Sequence, residues 1–172
     1  MEVDHPTRVA VIGAGLMGVG VAQVFASAGI ECAPYDPSPP SRASLVNRLQ
    51  TGGDLSGLDS DEVLGLISIH DNVGAARESA SLIVEAGPEN IALKRAIFAE
   101  LSELSGPTAI LASNTSAIPI GVIAQAVAEP SRVIGTHFWN PRTLFPSSKW
   151  SKGRRRRRPW SRTRSNCSRA RA

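Results

Sequence analysis

The stretch GAGLMG, Gly13 to Gly18, joins the β-branched run RVAVI (8–12) to an apolar stretch, Leu16 to Ala28, with helical spacing. Six residues must turn the chain from a buried strand straight into a helix, and the G-x-G-x-x-G spacing removes a side chain wherever one would obstruct that path. Gly13 permits the tight turn, Gly15 lets backbone amides approach a pyrophosphate, and Gly18 lets the helix lie close on the sheet. Ala14, Leu16 and Met17 complete the loop, and the helix start adds unpaired N–H groups and a positive dipole end. Asp36 stands twenty-three residues after Gly13, at the end of a second expected strand, ECAPY (31–35). A carboxylate there accepts the hydroxyls of an adenosine ribose and repels a 2′-phosphate, so the unit points to NAD rather than NADP. The bland alternative is a glycine turn that binds no nucleotide.

The rest of the chain to residue 141 repeats the alternation. Helical patterns cover 41–50 and 60–66, separated by TGGDLSGLD, and LGLISIH and SLIVEA (81–86) read as strands. Residues 90–104 read as an amphipathic helix with Ile91, Leu93, Ile97, Leu101 and Leu104 as its apolar set. TAILAS (108–113), a helix around 119–128 and RVIGTHF (132–138) complete the pattern. The expectation is an α/β fold: a Rossmann-type, doubly wound, mostly parallel sheet with helices on both faces. Pro34 weakens the second strand, because proline cannot donate to a ladder.

Charge divides the chain where the pattern stops. Residues 1–141 carry a net charge of −8, and residues 142–172, with twelve Lys and Arg and no acid, carry +12. The two expected parts are a nucleotide-binding domain (1–141) and an Arg/Ser-rich, disordered tail (142–172). No run of eighteen apolar residues suggests a membrane span, and MEVDHPTR lacks the basic-then-apolar order of a signal peptide. Cys32 and Cys167 form neither a metal-ligand spacing nor a disulfide framework, which fits a reducing cytoplasm.

Three further segments fall at expected strand ends, where open α/β sheets place their ligands: EAGPENIALK (85–94), ASNTSAIPI (112–120) and GTHFWNP (135–141). With these blocks in this order, the chain resembles the nucleotide-binding domain of the 3-hydroxyacyl-CoA dehydrogenase family. The resemblance implies NAD-linked oxidation of the 3-hydroxyl of an acyl-CoA in fatty acid metabolism. It implies His137 as general base, Ser116 and Asn140 as ligands of the substrate oxygen, and Glu89 and Lys94 as residues lining the cofactor. A neutral imidazole suits proton removal near neutral pH. Taken singly, Ser113, Asn114, Thr115 and Ser116 read as turn and cap residues, and Glu89 and Lys94 as solvated helix residues. A neighbouring enzyme class, other β-hydroxyacid dehydrogenases with a similar glycine loop, relies on a lysine later in the chain.

Beyond Pro141 the resemblance implies a strand of the type Leu-Val-Glu-Val-Val-Lys-Gly, whose glutamate holds the histidine. The chain reads Pro146-Ser147-Ser148-Lys149-Trp150-Ser151-Lys152-Gly153, with Lys149 at the glutamate's spacing from His137. This peptide can be encoded as CCC TCG TCG AAG TGG TCA AAG GGC, and the same bases read from the third position encode Leu-Val-Glu-Val-Val-Lys-Gly. The expectation is a shifted reading frame from about residue 142, with the family's helical, dimer-forming C-terminal domain absent and turnover impaired. By analogy with the acid of a serine-hydrolase triad, loss of an orienting partner costs about four orders of magnitude. Two other readings stand beside this one: an NAD-binding module without catalysis, and a basic tail, with Trp160 among its arginines, that grips nucleic acid or an anionic surface.

Overall fold

Strand β1 (Arg8–Ile12) is buried on both faces of the sheet, and its side chains serve two cores. The computed structural model describes residues 6–51 and 60–138. Ala10 and Ile12 point to one face of the sheet, where they meet Phe98, Leu101 and Ile123. Val9 and Val11 point to the other, where they meet Val21, Ala22 and Ala26. A strand buried on both faces has no use for polar alternation, which is why RVAVI reads as a near-continuous apolar run.

Helix α1 (Leu16–Ser27) follows, then β2 (Glu31–Tyr35), α2 (Pro39–Ala43), α3 (Leu45–Thr51), α4 (Ser60–Gly65) and α5 (Val73–Arg77). The second half comprises β3 (Leu82–Glu85), α6 (Ile91–Leu104), β4 (Ile110–Ser113), α7 (Ile120–Ala124), a 3-10 turn (Pro130–Arg132) and β5 (Val133–Gly135). All pairings are parallel, in the order β2-β1-β3-β4-β5. The expected doubly wound α/β sheet is therefore what this sequence forms. β1 lies between β2 and β3, so the chain changes direction of winding there, and ligands of open α/β sheets bind outside the carboxyl ends of strands at such a point.

Register aligns those carboxyl ends. Ile12 pairs with Tyr35 and with Glu85, Glu85 with Ser113, and Ser113 with Gly135. The loops that leave this row carry Gly13–Gly18, Asp36, Glu89, Thr115–Ser116 and His137, the segments singled out by spacing in the sequence.

Several details depart from the sequence reading for identifiable reasons. Pro34 is tolerated because the even-numbered groups of β2 face outward: Cys32 donates to Leu66 O, and His70 donates to Pro34 O. The missing donor thus faces the outer segment and spares the β1–β2 ladder. That outer segment, expected as a strand, makes isolated parallel bridges at Ile67 and His70. Helix α5 escaped the pattern because it is a single short turn, capped by the Asn72 side chain on Ala75 N–H. In α6 the buried stripe is Lys94, Phe98 and Leu101, with Ile97 packed beside it, whereas Ile91, Leu93 and Leu104 are exposed. The expected apolar set was rotated because a lysine, excluded from any hydrophobic count, occupies the inner face. Most of the TGGDLSGLD loop lies outside the described residues, as do His5, Asn140, Pro141, Lys149, Trp160, Cys167 and the whole of 142–172. Among the described residues, no helix is long and apolar enough to cross a membrane.

Candidate functional site

The glycine loop is held from both ends. Gly13 adopts φ 107°, a left-handed conformation that favours glycine, and a Cβ there would lie 2.9 Å from the Ala86 carbonyl group. A Cβ on Gly18 would lie 1.8 Å from Gly13 O, so the start of α1 sits directly on the turn. Gly15 differs: a Cβ there meets nothing within 4 Å. No side chain caps α1 at Gly15, and its first turn has amides without intrahelical acceptors. A glycine with open space beside it, at an uncapped helix start, fits the close approach of a pyrophosphate.

Asp36 belongs to the same loop. Its Oδ2 accepts from Ala14 N–H at 2.7 Å and its Oδ1 from Ser38 N–H at 2.9 Å. An ionised carboxylate has about four acceptor positions, so two remain for ribose hydroxyls. Ala14 is less available than its place in the motif implies: its amide is held by Asp36, and its methyl is buried with Val19, Leu45 and Leu49. Two arginines unremarked in the sequence brace this end. Arg48 donates to Ala14 O, and Arg42 donates to the carbonyl of Asp36. Leu16 is exposed and Met17 half-buried at the mouth of the loop.

The second cluster forms where β3, β4 and β5 end. Glu85 and Lys94 are both fully buried, and Lys94 Nζ donates to Glu85 Oε1 and Oε2 at 2.8 Å each and to Gly87 O at 3.2 Å. Ser113 Oγ donates to Glu85 Oε2 at 2.6 Å, and Gly87 N–H to Glu85 Oε1 at 2.6 Å. Lys94, expected to line the cofactor, is turned inward, because the fully buried acid at the end of β3 needs a cation against it. Glu85 itself was missed. An acid closing the apolar run SLIVEA, nine residues before a lysine on the following helix, was the available signal.

Glu89 lies on the surface and reaches the next loop. Its Oε2 accepts from the Thr115 hydroxyl at 2.8 Å and its Oε1 from Ser116 N–H at 2.7 Å. Slight burial raises its pKa. That effect is outweighed by the Ser116 amide, the Thr115 hydroxyl and the positive charges of Lys94 and His137, so the carboxyl lies below its ordinary value.

Ser116 Oγ stands 2.8 Å from His137 Nε2, and both residues are exposed. His137 is held from either side: Thr136 N–H donates to Ser113 O at 2.9 Å, and Phe138 N–H to Asn114 Oδ1 at 2.9 Å. The Phe138 ring packs edge-on against Phe25 of α1, with centroids 6.0 Å apart. The polar run 113–116 is therefore no helix cap. Helix α7 begins at Ile120, after Pro119, without a side-chain cap, and the four residues serve Glu85, Phe138, Ile118 and His137 in turn. A cavity of about 360 Å³ opens beside Ser116 and His137, walled by Ile118, Pro119 and Ile120. Asn140, the third expected substrate ligand, lies outside the described residues. A hydroxyl hydrogen-bonded to an imidazole in an open, partly apolar cleft can bind an oxygen function and exchange a proton with it.

Comparison with known proteins agrees with this layout. Residues 8–147 match the family model of the 3-hydroxyacyl-CoA dehydrogenase NAD-binding domain. A 3-hydroxybutyryl-CoA dehydrogenase of Mycobacterium tuberculosis is 39% identical over 151 residues, which cover 83% of this chain and 52% of that protein. A 3-hydroxyadipyl-CoA dehydrogenase of Escherichia coli is 38% identical over 141 residues, covering 77% of this chain and 29% of that protein. The crystal structure of 3-hydroxybutyryl-CoA dehydrogenase from Escherichia coli superposes with a TM-score of 0.73 at 35% identity, over 82% of this chain and 31% of that one. The chain thus spans about half the length, or less, of these relatives.

Proposed function

The chain belongs to the 3-hydroxyacyl-CoA dehydrogenase family through its NAD-binding domain, and from that premise we propose that its site serves NAD-linked oxidation of the 3-hydroxyl of an acyl-CoA. The observation that carries the reading is the 2.8 Å contact between Ser116 Oγ and His137 Nε2 at the carboxyl end of the sheet. Backbone amides of Gly15 to Gly18 would hold the pyrophosphate, and Asp36 the adenosine ribose. NAD, when bound, supplies the acceptor for the hydride leaving carbon 3.

His137 takes the proton of the substrate hydroxyl as that hydride departs, which leaves a ketone at carbon 3 and an imidazolium on the protein. Ser116 holds the substrate oxygen against the imidazole, and its own contact with Nε2 fixes the ring between visits of substrate. Asn140 is the further substrate ligand in this reading. The apolar wall of Ile118, Pro119 and Ile120 suits the carbon chain of the acyl group. The cytoplasm is the proposed setting. The reading rests on Cys32 and Cys167, which form neither a metal-ligand spacing nor a disulfide framework.

Calorimetric titration of the chain with NADH, beside an acetoacetyl-CoA turnover assay on the same sample, tests the proposal. NADH binding, with turnover that disappears in His137→Ala, is the expected result. Binding with no turnover at any enzyme concentration would favour the second reading, an NAD-binding module without catalysis, which Lys149 in place of a glutamate specifically supports.

A further inference from the structure

We propose that Glu89 is a positioning residue for the Ser116–His137 couple, a role beyond lining the cofactor; the proposal rests on the proton-transfer reading above. The backbone on either side of Glu89 is fixed. Gly87 is tied to Glu85 through its N–H at 2.6 Å and to Lys94 through its carbonyl at 3.2 Å. Asn90 caps α6 by accepting from Leu93 N–H at 3.0 Å. From this fixed base the Glu89 side chain crosses to the loop after β4 and uses both its oxygens there.

The two contacts are complementary. Thr115 Oγ1 accepts from Ile118 N–H at 3.0 Å, which directs its own proton to Glu89 Oε2 at 2.8 Å. Ser116 N–H donates to Oε1 at 2.7 Å. Glu89 thus fixes the backbone from which the Ser116 side chain departs, and that hydroxyl meets His137 Nε2 at 2.8 Å. Carboxylate, serine and imidazole form a continuous chain across three loops. Both Glu89 oxygens are taken up by the Thr115 and Ser116 donors, so the carboxylate acts on the imidazole through Ser116. Position 149, where the family resemblance expects a glutamate against the histidine, holds a lysine. Glu89 reaches the histidine at one remove, through the backbone of Ser116.

The test uses the full chain with Glu89→Ala, Glu89→Gln and Ser116→Ala, and NADH and acetoacetyl-CoA as probes. Glu89 is exposed, so neither substitution at 89 empties a core. Three quantities are read: the ¹⁵N signal of His137 Nε2, NADH affinity, and kcat against KM. Glu89→Ala is expected to move the Nε2 signal in the direction that Ser116→Ala moves it. It should lower kcat about tenfold or more, within the range general acid–base groups command, and by a larger factor than it weakens NADH binding. Glu89→Gln keeps an acceptor for Ser116 N–H and should restore the Nε2 signal. Loss of NADH affinity with kcat and the Nε2 signal unchanged would overturn the proposal and return Glu89 to the cofactor. An Nε2 signal indifferent to Glu89→Ala would overturn it as well. If the unsubstituted chain binds NADH without turnover, the proton-transfer reading fails by itself, and the Nε2 signal still decides whether Glu89 holds the couple.

Discussion

Lys94 Nζ and the Glu85 carboxylate lie 2.8 Å apart, with neither side chain exposed to solvent. The pair draws the end of β3, the turn at Gly87, the start of α6 and the end of β4 onto one point, because Ser113 and Gly87 donate to the same acid. Burying two charges is costly, and their attraction with these extra hydrogen bonds roughly offsets that cost. Removing one member is another matter. Lys94→Met leaves a buried carboxylate without its cation and is expected to cost about 3–5 kcal/mol. The double variant Glu85→Leu, Lys94→Met should recover most of that loss. Urea unfolding of both variants measures the difference. Equal stability in the single and double variants would show that the charges themselves do not matter.

The glycines of the phosphate loop make a sharper pair of expectations. Gly18→Ala places a methyl 1.8 Å from a backbone oxygen, so the turn must shift, and a loss of about 3 kcal/mol in stability is expected. Gly15→Ala meets empty space and should leave stability within about 0.5 kcal/mol. It should nevertheless weaken NADH binding about tenfold or more, because a methyl stands where phosphate approaches and a charged hydrogen bond is lost. Thermal unfolding read beside NADH titration separates the two effects. Unchanged affinity in Gly15→Ala would move the cofactor away from this loop.

Glu89 gives a pH-dependent signature. Its folded-state pKa lies below the ordinary 4.5, with slight burial opposing the effect of the Ser116 and Thr115 donors and the nearby positive charges. The stabilisation it contributes is therefore present above that ordinary value and is lost as pH falls through the lower, folded-state value. Thr115→Val removes one of the donors, so Glu89 should titrate closer to 4.5. A ¹³C titration of the glutamate carboxyls reads this directly. A titration curve unmoved by Thr115→Val would place the hydroxyl contact outside the forces on Glu89.

The layout of the fold was legible because a parallel sheet leaves a plain mark. RVAVI and the runs that lead to Glu85 and Ser113 are mostly apolar, and the glycine spacing fixes the turn after β1. The position of His137 and Ser116 on neighbouring loops was legible from their strand ends, and their register is what brings them to hydrogen-bonding distance. Residues that act inward were not. Lys94 and Glu85 are charged residues, and apolar periodicity has no means of representing a pair that neutralises itself within the core. Asn114 and Phe25, which hold Phe138 and so steady His137, are likewise invisible, because their partner lies twenty-four residues or more away.

The last prediction concerns Lys149 and the bases beneath it. If the frame shifts near residue 142, the source DNA read one register away encodes Leu-Val-Glu-Val-Val-Lys-Gly where the protein has Pro146 to Gly153. A chain made from the corrected frame would regain a carboxylate at the histidine's expected spacing. That acid would orient the imidazole and stabilise the imidazolium, and by analogy with a triad acid it should raise turnover by up to about four orders of magnitude. NADH affinity should rise far less, because the loop from Gly13 to Gly18 and Asp36 are untouched. Sequencing the source DNA comes first and turnover of the corrected chain second. An unbroken frame with no such strand hidden beside it would leave Lys149 as the native residue, and Ser116, held by Glu89, as the group that steadies His137.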